Sequence, residues 1–246
     1  MRLDVALVGR GLARSRSHAQ ELVRAGVVTV DGTVATKASW IVTDETVLDA
    51  PMDAYVGRAA HKLLGALEDS GTPVAGRVLD AGASTGGFTQ VLLERGASRV
   101  YAVDVGHDQL AALLRSDDRV VVHEGVNVRD LMLEHVEDAP VDLVVADLSF
   151  ISLRLVLAPI LKVVAPGGTA LLMVKPQFEV GRQQLGNGGV VRTEAERIAA
   201  VDAVSEVAGS LGWHEDWRGV SRLPGPAGNV EYFVRLRGDE TSMVSP

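Results

Sequence analysis

The chain has 246 residues, of which 47% are hydrophobic and 23% are charged, and its formal net charge is −8. This composition is typical of a globular protein with a buried core, and it disfavours a wholly disordered chain. The absence of cysteine excludes both a disulfide framework and a zinc site built on thiolates.

Two short helices and a hairpin are predicted at the N-terminus. Apolar residues recur at helical spacing over residues 4–10 and again over 17–25. A strand at 27–30 then turns back at 33–34. The pattern predicts a small α+β domain of helix-helix-hairpin type over residues 1–52.

This N-terminal segment is basic although the chain as a whole is acidic. Residues 1–24 contain five arginines and two acidic residues, a local charge of +3, which leaves −11 for the remainder. Because nucleic-acid phosphates attract basic surfaces, the segment is the predicted nucleic-acid-binding surface. The residues assigned to it are Arg2, Arg10, Arg14, Arg16 and Arg24.

After a predicted linker at 53–58, strands alternate with helices. This alternation is typical of a mostly parallel sheet with helices on both faces. It predicts a Rossmann-like α/β domain over residues 59–240 and a disordered tail at 241–246. The predicted strands are seven, at 77–80, 99–104, 120–123, 141–147, 169–174, 213–220 and 231–237.

A glycine-rich turn follows the first of these strands. Glycine lets the backbone approach a ligand closely, and open α/β sheets bind cofactors at the carboxyl ends of their strands. Asp104, at the end of the second strand, can accept hydrogen bonds from ribose hydroxyls in either a dinucleotide or a nucleoside cofactor. The turn residues assigned to cofactor binding are Asp80, Gly82, Ser84, Thr85, Gly86 and Gly87.

Two details of this turn favour S-adenosylmethionine over a nicotinamide dinucleotide. Asp80 precedes the first glycine, and a carboxylate suits a cationic sulfonium cofactor better than a pyrophosphate. Gly82 and Gly86 are also more widely spaced than the glycines of a dinucleotide motif. Asn127, after the third strand, is placed near the adenine, with an ordinary turn amide as an equal alternative.

Two neighbouring strands end in ionisable residues, Asp147 and Lys175. Since parallel strands meet at one sheet edge, both are expected at the cofactor crevice, with a structural ion pair as the competing interpretation. A neutral lysine can remove a proton from a ribose hydroxyl, but Asp147 favours its charged form. Positioning and electrostatic stabilisation therefore remain alternatives to proton removal.

Two other ionisable residues are ambiguous in the pattern alone. Glu231 interrupts an apolar strand and is either an edge residue or a site residue. Lys62 lies on a predicted helix, where a solvent-facing position is the ordinary expectation.

These segments resemble the TlyA family of bacterial rRNA methyltransferases, also called haemolysins, over nearly the whole chain. The resemblance implies a class I methyltransferase domain of FtsJ type behind a module similar to an RNA-binding domain of ribosomal proteins. The matching segments include Arg2-Leu3-Asp4, Ser15-Arg16, Val30-Asp31-Gly32 and residues 80–89, 146–152, 174–181 and 224–233.

The resemblance implies S-adenosylmethionine-dependent 2'-O-methylation of cytidine in 16S and 23S rRNA. It also implies a catalytic tetrad that falls on Lys62, Asp147, Lys175 and Glu231, with Asp147 serving the cofactor as well. In this family pattern Lys175 activates the 2'-hydroxyl group, and the other three orient the reactants.

Two functions of other classes stay open in the sequence. A non-enzymatic rRNA-binding or ribosome assembly factor could keep the same scaffold, although the intact ionisable residues disfavour it. A membrane-active haemolysin is disfavoured because no segment provides the roughly 20 apolar residues that span a bilayer. We therefore expect a cytoplasmic monomer that acts on ribosomal subunits without a membrane, and also without a metal, because the six histidines show no paired spacing.

Overall fold

The computed structural model describes residues 1–13, 15–51, 54–181, 183 and 185–238. Three expectations lie outside these residues: the RNA contact of Arg14, the linker residue Asp53 and the tail at 241–246. The chain divides into two compact units, Met1–Val56 and Gly57–Pro246, and each has a hydrophobic core. Among the described residues, no helix is both long enough and apolar enough to cross a membrane.

The first unit contains two helices and a small antiparallel sheet. Ser15 starts the second helix because its side-chain oxygen accepts a hydrogen bond from the amide of His18. Leu3, Leu7 and Val28 are fully buried in a core that both helices and the sheet share. The elements are α1 (Leu3–Gly9), α2 (Arg16–Arg24), β1 (Thr29–Val30), β2 (Thr33–Val34) and β3 (Leu48–Asp49).

Strand β3 was not predicted. It pairs antiparallel with β1 on the side away from β2, so that Val30 faces Leu48 and Thr29 faces Asp49. Two residues are too short for an alternating pattern to show in a sequence. The stretch before the linker therefore belongs to the sheet of the first unit.

The second unit is built on a mixed, mostly parallel sheet of seven strands, which confirms the predicted fold class. Its order is β6-β5-β4-β7-β8-β10-β9, and β10 runs antiparallel to both neighbours. The strands are β4 (Arg77–Ala81), β5 (Arg99–Asp104), β6 (Val120–Glu124), β7 (Val141–Ala146), β8 (Val164–Val174), β9 (Trp213–Val220) and β10 (Tyr232–Gly238).

Helices connect the strands, and local signals set where several of them begin. Gly86 starts α4 with a backbone φ of 97°, and Thr193 and Glu196 form a capping box at the start of α8. The α-helices are α3 (Ala59–Ser70), α4 (Gly87–Glu94), α5 (Ala112–Arg115), α6 (Leu157–Lys162), α7 (Pro176–Glu179) and α8 (Glu194–Ser210). Short 3-10 helices lie at Val128–Asp130, Leu133–Val136, Leu153–Leu155 and Asn187–Gly189.

Strand β8 begins five residues earlier than predicted, at Val164 instead of Thr169. Pro166 and the two following glycines are typical of a break, yet the strand continues through them with an irregular register. Val141 pairs with Val164, whereas Leu143 pairs with Thr169. A bulge therefore absorbs the turn-forming residues without ending the strand.

The strand order locates a crevice at the carboxyl end of β4. The chain leaves β4 toward β5 on one side, and β7 and β8 extend the sheet on the other side. Because the connections on the two sides of β4 run in opposite directions, a gap opens between them above the strand ends. Open α/β sheets bind ligands in such a gap. The ends of β4, β5, β7 and β8 therefore define the candidate site.

Candidate active site

The glycine-rich turn after β4 passes close to the end of β7. Gly82 has a φ of 89°, and a Cβ atom built on it would lie 2.7 Å from the carbonyl oxygen of Asp147. A larger residue would therefore push the two strand ends apart. Thr85 and Gly87 continue this turn into α4, and both line the candidate site.

Asp104 ties the turn to the end of β5. Its Oδ2 atom accepts a hydrogen bond of 2.8 Å from the amide of Ser84, and its Oδ1 atom accepts one of 2.7 Å from the amide of Gly106. Because a carboxylate can accept about four hydrogen bonds, Asp104 keeps capacity for ligand hydroxyls. The side chain of Ser84 donates to Gln109 at 3.1 Å.

Two adjoining clefts open above these strand ends. The larger one, of about 580 Å³, is lined by Asp104 and Asn127 and by the apolar side chains of Val105, Leu148 and Ile151. The smaller one, of about 230 Å³, is lined by Lys175 among others. Gly82, Ser84, Asp147 and Ser149 line both clefts. The larger volume is within the roughly 300–1,000 Å³ that small-molecule sites occupy, and its mix of apolar walls and few polar groups suits a nucleoside.

Asn127 acts both as a turn amide and as a lining residue. Its side-chain oxygen accepts a hydrogen bond of 3.0 Å from the amide of Arg129 and caps a 3-10 helix. It also faces the larger cleft. The structure therefore brings together the two alternatives that the sequence left open.

Lys175 and Asp147 meet where the two clefts join. The Nζ atom of Lys175 lies 2.6 Å from Oδ1 of Asp147, and it donates a hydrogen bond of 2.8 Å to the hydroxyl oxygen of Ser149. Both charged side chains are largely buried, with 10% and 15% of their surface exposed. Ser149 was not predicted as a site residue, although it lies two positions after Asp147 in the segment that follows β7.

Lys62 and Glu231 form a second, fully buried ion pair. Only 6% of the lysine side chain and 1% of the glutamate side chain are exposed. The expectation of a solvent-facing Lys62 is therefore wrong, because α3 turns this residue inward together with Leu63 and Ala66. Glu231 lies one residue before β10, not inside the strand as predicted.

The two ion pairs lie at the ends of neighbouring strands. In the antiparallel ladder of β8 and β10, Val174 is opposite Tyr232. One residue further, the same register places Lys175 opposite Glu231. Neither Lys62 nor Glu231 lines the two clefts described above, whereas Lys175 and Asp147 both line the smaller one.

Asp80 does not reach the cleft surface. It lies inside β4, has no exposed surface, and accepts a hydrogen bond of 2.6 Å from the hydroxyl of Thr89 on α4. Burial raises the pKa of Asp80 to about 7, and the nearby charge of Asp147 adds to this effect. Gly86 also lies away from the cleft surface, because it starts α4 and packs toward Leu110 and Leu114.

We predict that replacing Asp80 with asparagine changes how stability depends on pH. In the folded protein the pKa of Asp80 is about 7, compared with an ordinary value of 3.8. Between these values the folded state binds more protons than the unfolded state, so the free energy of unfolding falls as pH rises. The loss amounts to about 3–4 kcal/mol between about pH 4 and pH 7.

Chemical denaturation of the cofactor-free protein at several pH values measures this loss. The difference between the wild-type protein and Asp80→Asn removes the contributions of all other groups. A difference that stays constant between acidic and neutral pH would contradict the assignment.

Several of the predicted RNA-binding arginines also have partners inside the first unit. Arg2 and Arg16 contact the buried carboxylate of Asp4 at 3.0 and 3.2 Å, and the hydrogen bond from Arg2 holds the pKa of Asp4 far below its usual range. Arg10 donates to the carbonyl oxygen of Thr43 at 2.7 Å. Arg24 is exposed at the end of α2. These arginines therefore stabilise the unit while their guanidinium groups stay partly exposed.

Comparison with known proteins identifies the family. A model of the FtsJ-like methyltransferases matches residues 55–238, and a model of the S4 domain matches residues 1–48. The chain is 54% identical to the 16S/23S rRNA (cytidine-2'-O)-methyltransferase TlyA of Mycobacterium tuberculosis, over 96% of this chain and 89% of the relative. The chain belongs to the TlyA family of FtsJ-like methyltransferases. The resemblance seen in the sequence is thereby confirmed.

Other members of the TlyA family carry a different name. Hemolysin A of Brachyspira hyodysenteriae is 38% identical over 96% of this chain and 99% of the relative. A solved structure from Streptococcus thermophilus, also described as a hemolysin, has a TM-score of 0.78 and 37% identity, covering 97% of this chain and 89% of the other. This chain is therefore similar over most of its length both to a protein named as a methyltransferase and to proteins named as hemolysins.

The described residues of this TlyA-family chain include no metal-binding cluster. Within residues 1–238, apart from the few positions not described, no group of three or more His, Asp or Glu side chains is placed to hold an ion. Lys62, Glu231, Lys175 and Asp147 instead form two ion pairs.

Proposed function

We propose that this TlyA-family enzyme transfers a methyl group from S-adenosylmethionine to the 2'-hydroxyl group of cytidine in 16S and 23S rRNA. The observation that carries the proposal is the Lys175–Asp147 pair at the junction of the two clefts, beside the glycine turn. The relative in Mycobacterium tuberculosis is named for this reaction. The S4 match at residues 1–48 supports an RNA substrate.

The lining residues suit S-adenosylmethionine. Asp104 has free acceptor capacity for ribose hydroxyls, and Asn127 with the apolar walls suits an adenine. Asp147 provides a negative charge near the junction of the clefts, which favours a cation there. When bound, S-adenosylmethionine supplies an electrophilic methyl group on a positively charged sulfur. Asp80 contributes from behind the turn, through its bond to Thr89, and not by direct contact.

Lys175 is the group placed to handle the proton of the 2'-hydroxyl. Its amine removes that proton when neutral, so that the O–H bond breaks, an N–H bond forms, and the ribose oxygen becomes the nucleophile. Asp147 and Ser149 then hold the resulting ammonium group at 2.6 and 2.8 Å.

The Lys62–Glu231 pair supports the position of Lys175 without lining the clefts. Glu231 lies at the strand end next to Lys175, and its partner Lys62 lies near the start of α3. A buried pair of opposite charges holds its two elements in a defined geometry, since separating the charges is costly. We propose that it orients the ribose-binding wall beside Lys175.

The first unit is proposed to hold the RNA by its phosphates. Arg2, Arg10, Arg16 and Arg24 are exposed, and they belong to the basic segment of the chain. Guanidinium groups bind phosphate oxygens in a bidentate geometry without reading sequence. RNA affinity should therefore fall with rising salt concentration.

Phe150 is predicted to contact a base of the substrate. It lines the larger cleft, its side chain is 92% exposed, and its backbone lies in the left-handed region with a φ of 64°. Stacking of a base on an aromatic ring is worth about 1–3 kcal/mol, so Phe150→Ala should lower kcat/KM for RNA about 5- to 150-fold. Steady-state kinetics with varied RNA measure this change.

The matched control is Leu155→Ala, which removes another exposed apolar side chain, 61% exposed, close in the chain. It should leave kcat/KM near the wild-type value. Equal losses in the two variants would show that the region responds to any apolar truncation and that Phe150 does not stack.

The proposed function is tested with purified protein, ribosomal subunits and S-adenosylmethionine labelled in the methyl group. We expect label in RNA, and nuclease digestion with mass spectrometry should identify 2'-O-methylcytidine. Tight subunit binding without label transfer would indicate a non-enzymatic assembly factor instead. Leakage from liposomes caused by the protein alone would support a haemolysin.

A further inference from the structure

Glu179 is a buried carboxylate that the proposed reaction does not use. It is the last residue of α7, which follows Lys175, and 1% of its side chain is exposed. Buried carboxylates are costly unless their oxygens are hydrogen-bonded. The partners of Glu179 therefore show what the residue does.

All of these partners belong to the segment that follows β7. The Oε1 atom of Glu179 accepts a hydrogen bond of 2.7 Å from the amide of Leu153, and Oε2 accepts from the hydroxyl of Ser152. Arg154 donates to Oε2 at 3.2 Å and to the backbone carbonyl of Glu179 at 2.8 Å. One side chain thus joins the segment after Lys175 to the segment after Asp147.

Two further contacts connect the same segments. Lys175 forms an ion pair with Asp147 and donates a hydrogen bond to Ser149, and the rings of Phe150 and Phe178 lie 5.4 Å apart between centroids. Phe150 has a positive φ, which costs a non-glycine residue free energy unless its surroundings hold it. The residues that bind Glu179 begin at Ser152, two positions after Phe150. The buried, charged Glu179 therefore holds the chain on the C-terminal side of Phe150.

We propose that Glu179 is a positioning residue that sets the distance between Lys175 and Asp147 and keeps Phe150 in its left-handed conformation. This inference rests on the proposed function, since it assigns a role within the same site. Glu179 touches neither cleft, so it acts through Ser152, Leu153 and Arg154. The groups assigned to S-adenosylmethionine at Asp104 and Asn127 have no contact with it.

The test is the isosteric variant Glu179→Gln. A glutamine amide has one acceptor oxygen, so its NH2 group must face one of the donors that the carboxylate now satisfies. A displacement of about 1 Å at a reacting group costs on the order of 100-fold in rate, so kcat should fall about 30- to 100-fold. Affinity for S-adenosylmethionine, measured by calorimetry, should change less than about fivefold.

The fraction of folded protein, measured by circular dichroism, separates positioning from a structural role. If Glu179 positions the reacting groups, the lower kcat of Glu179→Gln persists per folded molecule while the affinity for S-adenosylmethionine is retained. A folded variant with unchanged kcat, or one that loses affinity for S-adenosylmethionine in proportion to kcat, would overturn the proposal.

Glu215→Gln is the matched control. Glu215 also binds a serine and an arginine, Ser205 and Arg218, but it lies on the edge strand β9 and lines neither cleft. Its kcat and its affinity for S-adenosylmethionine should stay close to those of the wild type. If Glu179→Gln behaves like this control, Glu179 does not position the site.

Two additional measurements keep the inference testable. If Glu179→Gln does not fold, Ser152→Ala removes a single donor and should lower kcat about 3- to 10-fold; an unchanged kcat would overturn the proposal. If the wild-type protein methylates no RNA, the proposed function fails. Crystal structures of Glu179→Gln and Glu215→Gln then test the role of Glu179 independently of activity. Phe150 should leave the left-handed region in Glu179→Gln alone, and an unchanged conformation would refute the role of Glu179.

Discussion

Replacing Lys175 with alanine is expected to lower methyl transfer about 1,000-fold, within the range seen when a general base is removed. The amine of Lys175 lies 2.6 Å from Asp147 at the junction of the clefts, and 8% of the residue is exposed. Because Lys175 contacts Asp147 and Ser149 and not Asp104 or Asn127, which are assigned to the ribose and adenine of the cofactor, affinity for S-adenosylmethionine should be retained. Single-turnover assays and calorimetry measure the two quantities.

Two variants show whether proton removal or charge is the essential contribution. Lys175→Arg keeps a positive charge but cannot give up its proton near neutral pH, so it should be as inactive as alanine if Lys175 is a base. Recovery of most activity in Lys175→Arg would favour electrostatic positioning instead. Lys162→Ala, which alters an exposed lysine at the end of α6, should leave the rate unchanged.

Breaking the Lys62–Glu231 pair is expected to reduce stability strongly. Glu231→Ala leaves the buried ammonium group of Lys62 without its partner, and removal of one member of such a pair costs about 3–5 kcal/mol. Methyl transfer should also fall by on the order of 100-fold, because the strand end next to Lys175 loses its anchor. Chemical denaturation and single-turnover rates measure these losses.

The double variant Lys62→Met with Glu231→Gln separates stability from function. Removing both charges eliminates the unpaired ion, so most of the lost free energy of unfolding should return. Activity should stay low if the charged pair orients the reactants. A double variant that regains both stability and activity would mean that the pair serves only the fold.

The Lys175–Asp147 contact could be predicted from the sequence because a local pattern marks each of the two residues. Each residue follows an apolar run typical of a buried strand, and parallel strands bring their carboxyl ends to one edge. Asp104 and the turn at Gly82 were predicted for the same reason. Adjacent β7 and β8 then place the two charged groups within 2.6 Å.

The burial of charged side chains could not be predicted in this way. Lys62 on α3 resembles any solvent-facing helix lysine, and it is enclosed only because Glu231, 169 residues away in the chain, lies against it. Asp80 was predicted to contact a ligand, but it is buried within β4 and its carboxylate accepts a hydrogen bond from Thr89 on α4. Neither Glu231 nor Thr89 has a spacing in the sequence that links it to its partner.

Taken by itself, the sequence determined the alternation of strands and helices, the glycine turn and the polar strand tips, since these depend on hydrophobic periodicity and backbone preference along short stretches. The tertiary structure decided the strand order, the third strand of the first unit and the partners of Lys62, Asp80 and Glu179. The physical reason is that desolvation and ion pairing depend on which distant segments exclude water from a side chain, and no local pattern records that.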